Sequence, residues 1–323
     1  MTGTIRNEKC IPDGRVTRLR IMRIAGAALM IALSVKAQDA TFTADVKVVN
    51  VLATVRDRDG AIVKNLSKDD FEIQDNGHRQ SIKYFSHESN LPLTIGMLVD
   101  TSRSMQTVIE AARSASGQFF DQVLHNPEDR AFIMHFDWKV GVLQDLTSSR
   151  EDLAAAVEKL KIPKIPSTLL RDAVREASED HMKKLNGRKA LIILSDGADV
   201  RSHVTLSTAI EYAQRADTMI YTVHFLHASA ARRLAKKRKP PPMIKNATAA
   251  MQRLARETGG GYFLVSDDNP VEKIFAQIED ELRNQYSIGY TPDRPAADGK
   301  YRKIALSVKP KGLAVRTREG YYP

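Results

Sequence analysis

The fold is decided by the stretch Leu93-Thr-Ile-Gly-Met-Leu-Val-Asp100-Thr-Ser102-Arg-Ser104-Met105. A nearly unbroken apolar run ends here in a carboxylate and two hydroxyls, spaced one residue apart, and a helical pattern follows directly. This pattern is typical of a buried parallel strand that carries polar groups at its carboxyl end, where open α/β sheets bind their ligands. We therefore expect Asp100, Ser102 and Ser104 to form part of a binding site.

Strands of the same kind recur along residues 91–285, where apolar segments alternate six times with segments of helical periodicity. Such alternation predicts an α/β fold, a doubly wound and largely parallel sheet with helices on both faces. A second apolar segment ends in Asp196-Gly197. Because the carboxyl ends of parallel strands meet at one edge of a sheet, we expect Asp196 to lie close to Asp100. Thr168, in a loop before a helix, can bring another hydroxyl to that edge.

These side chains are hard oxygen ligands of the kind that Mg²⁺ or Mn²⁺ prefers over zinc or copper. Two carboxylates match the charge of one divalent cation, and hydroxyls and water can fill the remaining positions. A simpler interpretation is that Asp100 and Ser104 cap the following helix and that Asp196 serves the turn at Gly197. Capping alone does not require polar groups from three separate segments to converge, so we favour the metal site.

With these three elements, residues 91–285 resemble the von Willebrand factor A domain. In that family a metal-ion-dependent adhesion site combines an Asp-x-Ser-x-Ser motif, a loop threonine and an Asp-Gly pair. Asp100, Ser102 and Ser104 match the first element, Thr168 with Asp172 the second, and Asp196 the third. The family often has two glycines before the threonine, where this chain has Pro166 and Ser167, so we expect a stiffer loop.

The resemblance implies a non-enzymatic, adhesion-type protein whose bound cation is completed by an aspartate or glutamate of a partner protein. Two other functions stay open. The chain could be a structural envelope scaffold with a vestigial metal site, or a metal-assisted hydrolase. The hydrolase requires a general base, and the eight histidines show no motif spacing that would supply one.

Short strands with turn signals flank the A-type segment and predict a small β-sandwich. We assign residues 38–90 to the first part of this β module, residues 91–285 to the A domain, and residues 286–323 to a C-terminal β segment that could complete the module. This whole arrangement resembles a family of A-domain-related proteins described from acidobacteria.

Residues 1–37 are predicted to be a secretory signal peptide. A basic stretch at 15–23 precedes an apolar run at 24–35, and small residues precede a cut expected after Ala37. Met22 is an alternative start to Met1. The single cysteine, Cys10, lies within this segment, so the mature chain would hold no thiol. We expect an exported protein, periplasmic or secreted to the cell surface.

The formal net charge of +10 does not indicate a nucleic-acid partner. Seven basic and two acidic residues within positions 1–37 account for half of it. A loop at 226–245 adds a basic cluster without interleaved aromatic residues, which base stacking would need. The cluster could contact a membrane or another anionic polymer, although a solvated loop is the simpler interpretation. It comprises Arg232, Arg233, Lys236, Lys237, Arg238 and Lys239.

Overall fold

Fourteen strands and six α-helices are described by a computed structural model of residues 48–87, 91–226, 239, 241–294 and 299–323. The predicted signal peptide and five of the six cations of the basic loop, all but Lys239, lie outside these residues. The described chain forms one compact unit. Among the described residues, no helix is both long and apolar enough to cross a membrane.

Six strands form the central sheet, and their bounds follow the apolar segments of the sequence. They are β5 (Leu93–Asp100), β6 (Arg130–Phe136), β7 (Val140–Thr147), β8 (Arg188–Ser195), β9 (Met219–His224) and β10 (Tyr262–Leu264). The order across the sheet is β10-β9-β8-β5-β6-β7. All neighbours are parallel except β7, which pairs antiparallel with β6 through a bulge. The predicted α/β fold with a largely parallel sheet is confirmed.

Helices cover both faces of this sheet. They are α1 (Ile109–Val123), α2 (Arg150–Val157), α3 (Leu170–Glu176), α4 (Leu206–Arg215), α5 (Pro242–Thr258) and α6 (Val271–Arg283). Helices α1, α2 and α6 pack on one face, and α3, α4 and α5 pack on the other, each over its own apolar core. Strand β5 is buried on both sides, which explains why it has almost no polar residue before its last position.

Two helices depart from the periodicity expected from sequence. Helix α5 starts at Pro242, five residues before the apolar periodicity of residues 247–258 begins. Proline is well tolerated at the first helical position because no hydrogen bond is lost there. Helix α3 passes at Ala177 into a turn of π-helix that ends at Met182, so the continuous helical periodicity of residues 169–185 covers two pieces.

The remaining strands form two four-stranded sheets in the orders β13-β1-β11-β4 and β14-β12-β2-β3. The first part of the chain contributes β1 (Val49–Arg56), β2 (Phe71–Asp75), β3 (His78–Gln80) and β4 (Tyr84–Ser86). The last part contributes β11 (Tyr286–Tyr290), β12 (Arg302–Val308), β13 (Ala314–Thr317) and β14 (Gly320–Tyr321). An apolar core drawn from both sheets lies between them, so the two sheets form a sandwich.

A buried carboxylate fixes helix α6 against this sandwich. Glu281 is fully buried and accepts hydrogen bonds from Arg56 of β1 and Arg316 of β13, each at 2.7 Å. Two guanidinium groups therefore compensate one buried charge, which would otherwise be costly to desolvate.

Candidate functional site

The candidate site lies at the edge of the central sheet where the parallel strands end, called the carboxyl edge below. Strands β5 and β8 are neighbours there, although the chain passes through β6 and β7 between them. Such a reversal of strand order opens a crevice at the carboxyl ends of the strands, where open α/β sheets bind ligands. Asp100 closes β5 and Asp196 directly follows β8, so both predicted carboxylates come to this crevice.

Asp100 is fully buried, and both of its carboxylate oxygens accept hydrogen bonds. The backbone N–H of Ser102 donates to Oδ1 at 2.8 Å, and the hydroxyl of Ser195 donates to Oδ2 at 2.6 Å. These two bonds set the orientation of the carboxylate. A polar group this deeply buried is normally held by such partners.

The two predicted hydroxyl ligands lie side by side. A turn of 3₁₀-helix at Arg103–Met105 brings Ser102 Oγ to 3.0 Å from Ser104 Oγ. Ser102 is buried and Ser104 half-buried, while Arg103 between them is exposed to solvent. The Ser102 hydroxyl, at the N-cap position of this turn, accepts no capping hydrogen bond from a backbone N–H.

Asp196 is placed by a tight turn. Its Oδ1 accepts a hydrogen bond from the N–H of Ala198 at 3.0 Å, and its carbonyl oxygen lies 3.0 Å from Nε2 of His224. Gly197 has a φ of 76°, in the left-handed region that glycine tolerates best. A side chain at Gly197 would also collide with helix α5, since a Cβ there would lie 2.9 Å from Met251 Cγ.

Ser195 is a site residue that the sequence did not reveal. Its hydroxyl accepts from the N–H of Gly197 at 2.9 Å while donating to Asp100. One buried hydroxyl therefore links the turn that carries Asp196 to the carboxylate of Asp100. The only signal in the sequence is its position at the end of an apolar segment, directly before Asp196 and Gly197.

Thr168 is buried, and its carbonyl oxygen accepts hydrogen bonds from the N–H groups of Val200 at 3.1 Å and Arg201 at 3.4 Å. The loop of Thr168 is thus held against the loop that follows Asp196. Asp172, which matches the same family element, bonds elsewhere. It accepts from the backbone N–H of His203 and Val204, and its Oδ2 lies 2.7 Å from Nδ1 of His203.

The loop after Asp196 is fixed to helix α3 by a second set of charged contacts. Arg171 donates from Nε and Nη2 to the two oxygens of Asp199, each at 2.9 Å. Ser202 also donates to Asp199 at 2.7 Å. A bidentate pair of this kind has a defined geometry, so it stiffens the loop as well as pairing the charges.

A third polar cluster joins the ends of β5 and β6. Thr101 donates to Asp137 Oδ2 at 2.6 Å, and His135 Nδ1 lies 3.2 Å from the same oxygen. His224 is buried at the end of β9, and its Nδ1 also lies 2.8 Å from the hydroxyl of Tyr262. Burial lowers the pKa of His224, which favours the neutral imidazole.

The electrostatics of the site fit a divalent cation. Burial, and then the negative charge of Asp196, raise the pKa of Asp100 to about 7. A carboxylate whose ionisation is disfavoured by burial and by a neighbouring negative charge is stabilised when a cation lies beside it. Among the described residues no group of three or more histidine, cysteine, aspartate or glutamate side chains could hold a metal. The donor set here is instead two carboxylates with hydroxyls, which suits a hard cation and not a nitrogen- or sulfur-rich site.

Several solved structures are similar to this chain at low sequence identity. An aerotolerance-related membrane protein of Bacteroides fragilis is 16% identical over 59% of this chain and 98% of its own, with a TM-score of 0.46. The von Willebrand factor domain of the type V pili tip protein Mfa5 of Porphyromonas gingivalis is 14% identical over 59% and 95%, with a TM-score of 0.47. Proximal thread matrix protein 1 of the mussel byssus, with zinc in its MIDAS motif, is 13% identical over 66% and 50%, with a TM-score of 0.49.

The family assignment rests on the sequence itself. No curated protein sequence matches the chain significantly. The family model of the von Willebrand factor type A domain matches residues 95–277, more than half of the 323 residues. The matched range begins within β5 and ends within α6, so it contains every residue of the candidate site. The chain therefore belongs to the von Willebrand factor type A domain family.

Proposed function

We propose that this chain binds one divalent cation, Mg²⁺ or Mn²⁺, and uses it to bind an acidic side chain of another protein. The ligands are two carboxylates and three hydroxyls, which bind directly or through water. They are Asp100, Ser102, Ser104, Thr168 and Asp196.

One observation carries this proposal. Asp100 and Asp196, from strands separated by about a hundred residues of sequence, are near enough for the charge of Asp196 to raise the pKa of Asp100. The Ser102 and Ser104 hydroxyls lie 3.0 Å from each other beside them. Such a convergence of hard oxygens has no evident use in folding, because a buried carboxylate beside a second, half-buried one costs stability unless a cation compensates the charge.

The proposed ligands differ in charge and therefore in role. Asp100, held by Ser102 and Ser195, supplies a fixed anionic oxygen, and Asp196 supplies the second anion from a turn. The hydroxyls supply neutral oxygens that complete the set without adding charge. A cation bound mainly through neutral oxygens remains electrophilic, so it can accept a carboxylate oxygen of a partner as a further ligand.

We further propose that the protein acts by binding and not by catalysis, and that it acts after export, in the periplasm or at the cell surface. Support for export comes from the basic and apolar pattern of residues 15–37 and the small residues before Gln38. A metal-independent partner would instead favour the scaffold function.

Calorimetric titration of the full chain with Mg²⁺ and Mn²⁺ tests the metal site. We expect saturable binding at one site, loss of that binding in Asp100→Asn, and unchanged binding in Asp145→Asn, which removes an exposed carboxylate of β7. If thermal unfolding shows that Asp100→Asn does not fold, the double variant Ser102→Ala with Ser104→Ala replaces it. Binding of either cation that is unchanged in a folded site variant would refute the proposal.

A further inference from the structure

The carboxyl edge is unusually apolar where it meets solvent. Eight large hydrophobic side chains are exposed among the described residues, and four of them lie at this edge, three on loops and one in the first turn of α5. We call these four the apolar rim: Trp138 (44% exposed), Ile165 (49%), Val200 (66%) and Met243 (73%). Exposed apolar side chains that gather at one place mark an interaction surface more often than single ones do.

Backbone hydrogen bonds and neighbouring positions in the chain connect the rim to the candidate metal site. Trp138 follows Asp137 in the chain. The Asp137 carboxylate accepts a hydrogen bond from the hydroxyl of Thr101, the residue after Asp100. On the opposite side, the N–H of Val200 donates to the carbonyl oxygen of Thr168. Ile165 lies three residues before Thr168 in the same loop. The rim therefore flanks the proposed metal ligands on both sides.

Part of the rim lines a groove that begins immediately after Asp196. The groove has a volume of about 540 Å³, within the usual range of ligand-binding clefts. Its backbone wall is the segment 197–200, and its apolar side chains come from α3, α4 and α5. They are Leu170, Leu206, Met243, Ala247 and Ala250. The one charged pair in the lining, Arg171 with Asp199, is already satisfied by its bidentate hydrogen bonds.

The charge around the site indicates what kind of partner approaches it. Exposed cations are spread over the loops and helix ends at the carboxyl edge, and they include Arg103, Lys139, Lys159, Lys161, Lys164, Arg201, Lys245 and Lys273. The exposed acids at the same edge are fewer: Glu110, Glu158, Asp267, Asp268 and Glu272. This excess of positive charge attracts an acidic surface and repels a basic one.

We infer that the site recognises an acidic residue followed by an aliphatic side chain on an exposed loop of a partner protein. The carboxylate binds at the metal, and the aliphatic side chain enters the groove beside Asp196. The inference rests on the proposed function, because the metal must hold the carboxylate. It goes further by assigning selectivity to residues that touch no metal, chiefly Val200 and Met243.

Short synthetic peptides test this selectivity directly. The probes are three disulfide-closed peptides that each carry a fluorophore and differ only at two central positions, which are Asp-Leu, Asp-Ser or Asn-Leu. Binding of each peptide to the full chain is measured by fluorescence anisotropy, first in millimolar Mg²⁺ and then in EDTA. We expect the Asp-Leu peptide to bind on the order of tenfold more tightly than Asp-Ser, since burying a leucine side chain contributes at least that factor. The Asn-Leu peptide and the EDTA samples should show no binding.

Substitutions in the groove test whether its side chains cause the preference for the Asp-Leu peptide. Val200→Ser with Met243→Ser should remove the preference for Asp-Leu over Asp-Ser and leave Mg²⁺ binding unchanged, because both side chains are exposed and neither is a proposed ligand. Tyr84→Ser, which alters an exposed aromatic residue of the β sandwich, is the matched control and should keep the preference.

The outcomes separate the two hypotheses. Equal, metal-dependent binding of Asp-Leu and Asp-Ser would overturn the groove inference and leave the proposed function standing. Binding of Asn-Leu as tight as that of Asp-Leu would also overturn the inference, since the groove would then act without the metal. Absence of metal-dependent binding by every aspartate peptide would refute the proposed function together with the inference.

Discussion

Replacing Ser195 with alanine removes a single buried hydroxyl that joins two parts of the candidate site. Ser195 Oγ donates to Asp100 at 2.6 Å and accepts from the N–H of Gly197 at 2.9 Å. In Ser195→Ala both groups stay buried and lose that partner. Each unsatisfied buried group costs about 1–3 kcal/mol, with the larger values for charged groups. We therefore expect the variant to be less stable than the parent by about 2–4 kcal/mol.

The same substitution should weaken metal binding, although Ser195 is not a proposed ligand. Groups that orient a metal ligand typically contribute a factor of about 10–100 in metal affinity. Without Ser195, the Asp100 carboxylate keeps only its hydrogen bonds from Ser102, and the turn of Asp196 loses its link to β5. We expect a loss of Mg²⁺ affinity within that range.

Urea unfolding and Mg²⁺ calorimetry of the same preparations give the two quantities. Ser116→Ala is the matched control, because Ser116 is equally buried and its hydroxyl donates only to the Ala112 carbonyl within helix α1. That control should lose little stability and no Mg²⁺ affinity. A Ser195→Ala variant that binds Mg²⁺ as tightly as the parent would refute the role assigned to this hydroxyl.

Three further substitutions test other contacts. Burial alone would raise the pKa of Asp172, but hydrogen bonds from His203 and Val204 outweigh it and hold that pKa below its usual value. The stability that this carboxylate contributes is therefore complete above about pH 4 and is lost as the pH falls through the lowered pKa. Asp172→Asn should cost about 1–3 kcal/mol at neutral pH, and urea unfolding should show the difference shrinking in acid; a constant difference would contradict this. Tyr321→Phe removes one of three side-chain donors to the buried Asp75 and should cost about 1 kcal/mol in the same assay without changing Mg²⁺ affinity. Gly197→Ala places a Cβ 3.0 Å from a carbonyl oxygen of helix α5 at a φ of 76°. The variant should therefore be less stable by about 1–3 kcal/mol and should bind Mg²⁺ more weakly. Unchanged Mg²⁺ affinity would show that the turn at Gly197 does not position the metal ligands.

The central sheet could be predicted from sequence because its physical cause is local. The apolar runs that end at Asp100 and Ser195 are long and bounded by polar residues, so their burial and their parallel neighbours follow from composition alone. The same pattern brings Asp100 and Asp196 to one edge of the sheet. Whether these residues bind a metal remains a prediction, as does the narrower resemblance to the acidobacterial family.

The supporting contacts could not be predicted, because they join residues that are distant in sequence and ordinary in type. Ser195 reaches Asp100 across 95 positions, and Asp172 reaches His203 across 31. Asp172 matches the family element that contains Thr168, and the motif alone did not reveal that its carboxylate holds the loop at 203–204. Hydrogen bonds of this kind depend on loop conformation, which hydrophobic periodicity does not encode.

The pairing of β1 with β11 has a consequence for the order of folding. Ala53 lies opposite Tyr286, so more than two hundred residues separate the partners of this ladder. Closing a flexible loop of that length costs on the order of 5 kcal/mol of chain entropy before any contact forms. All strands of the central sheet lie between these two partners in the sequence. Once the sheet has folded, the start of β5 and the end of α6 hold the flanking segments near each other. The sandwich should therefore assemble last, after the final strands have been synthesised, and its formation reports that the domain within it is complete.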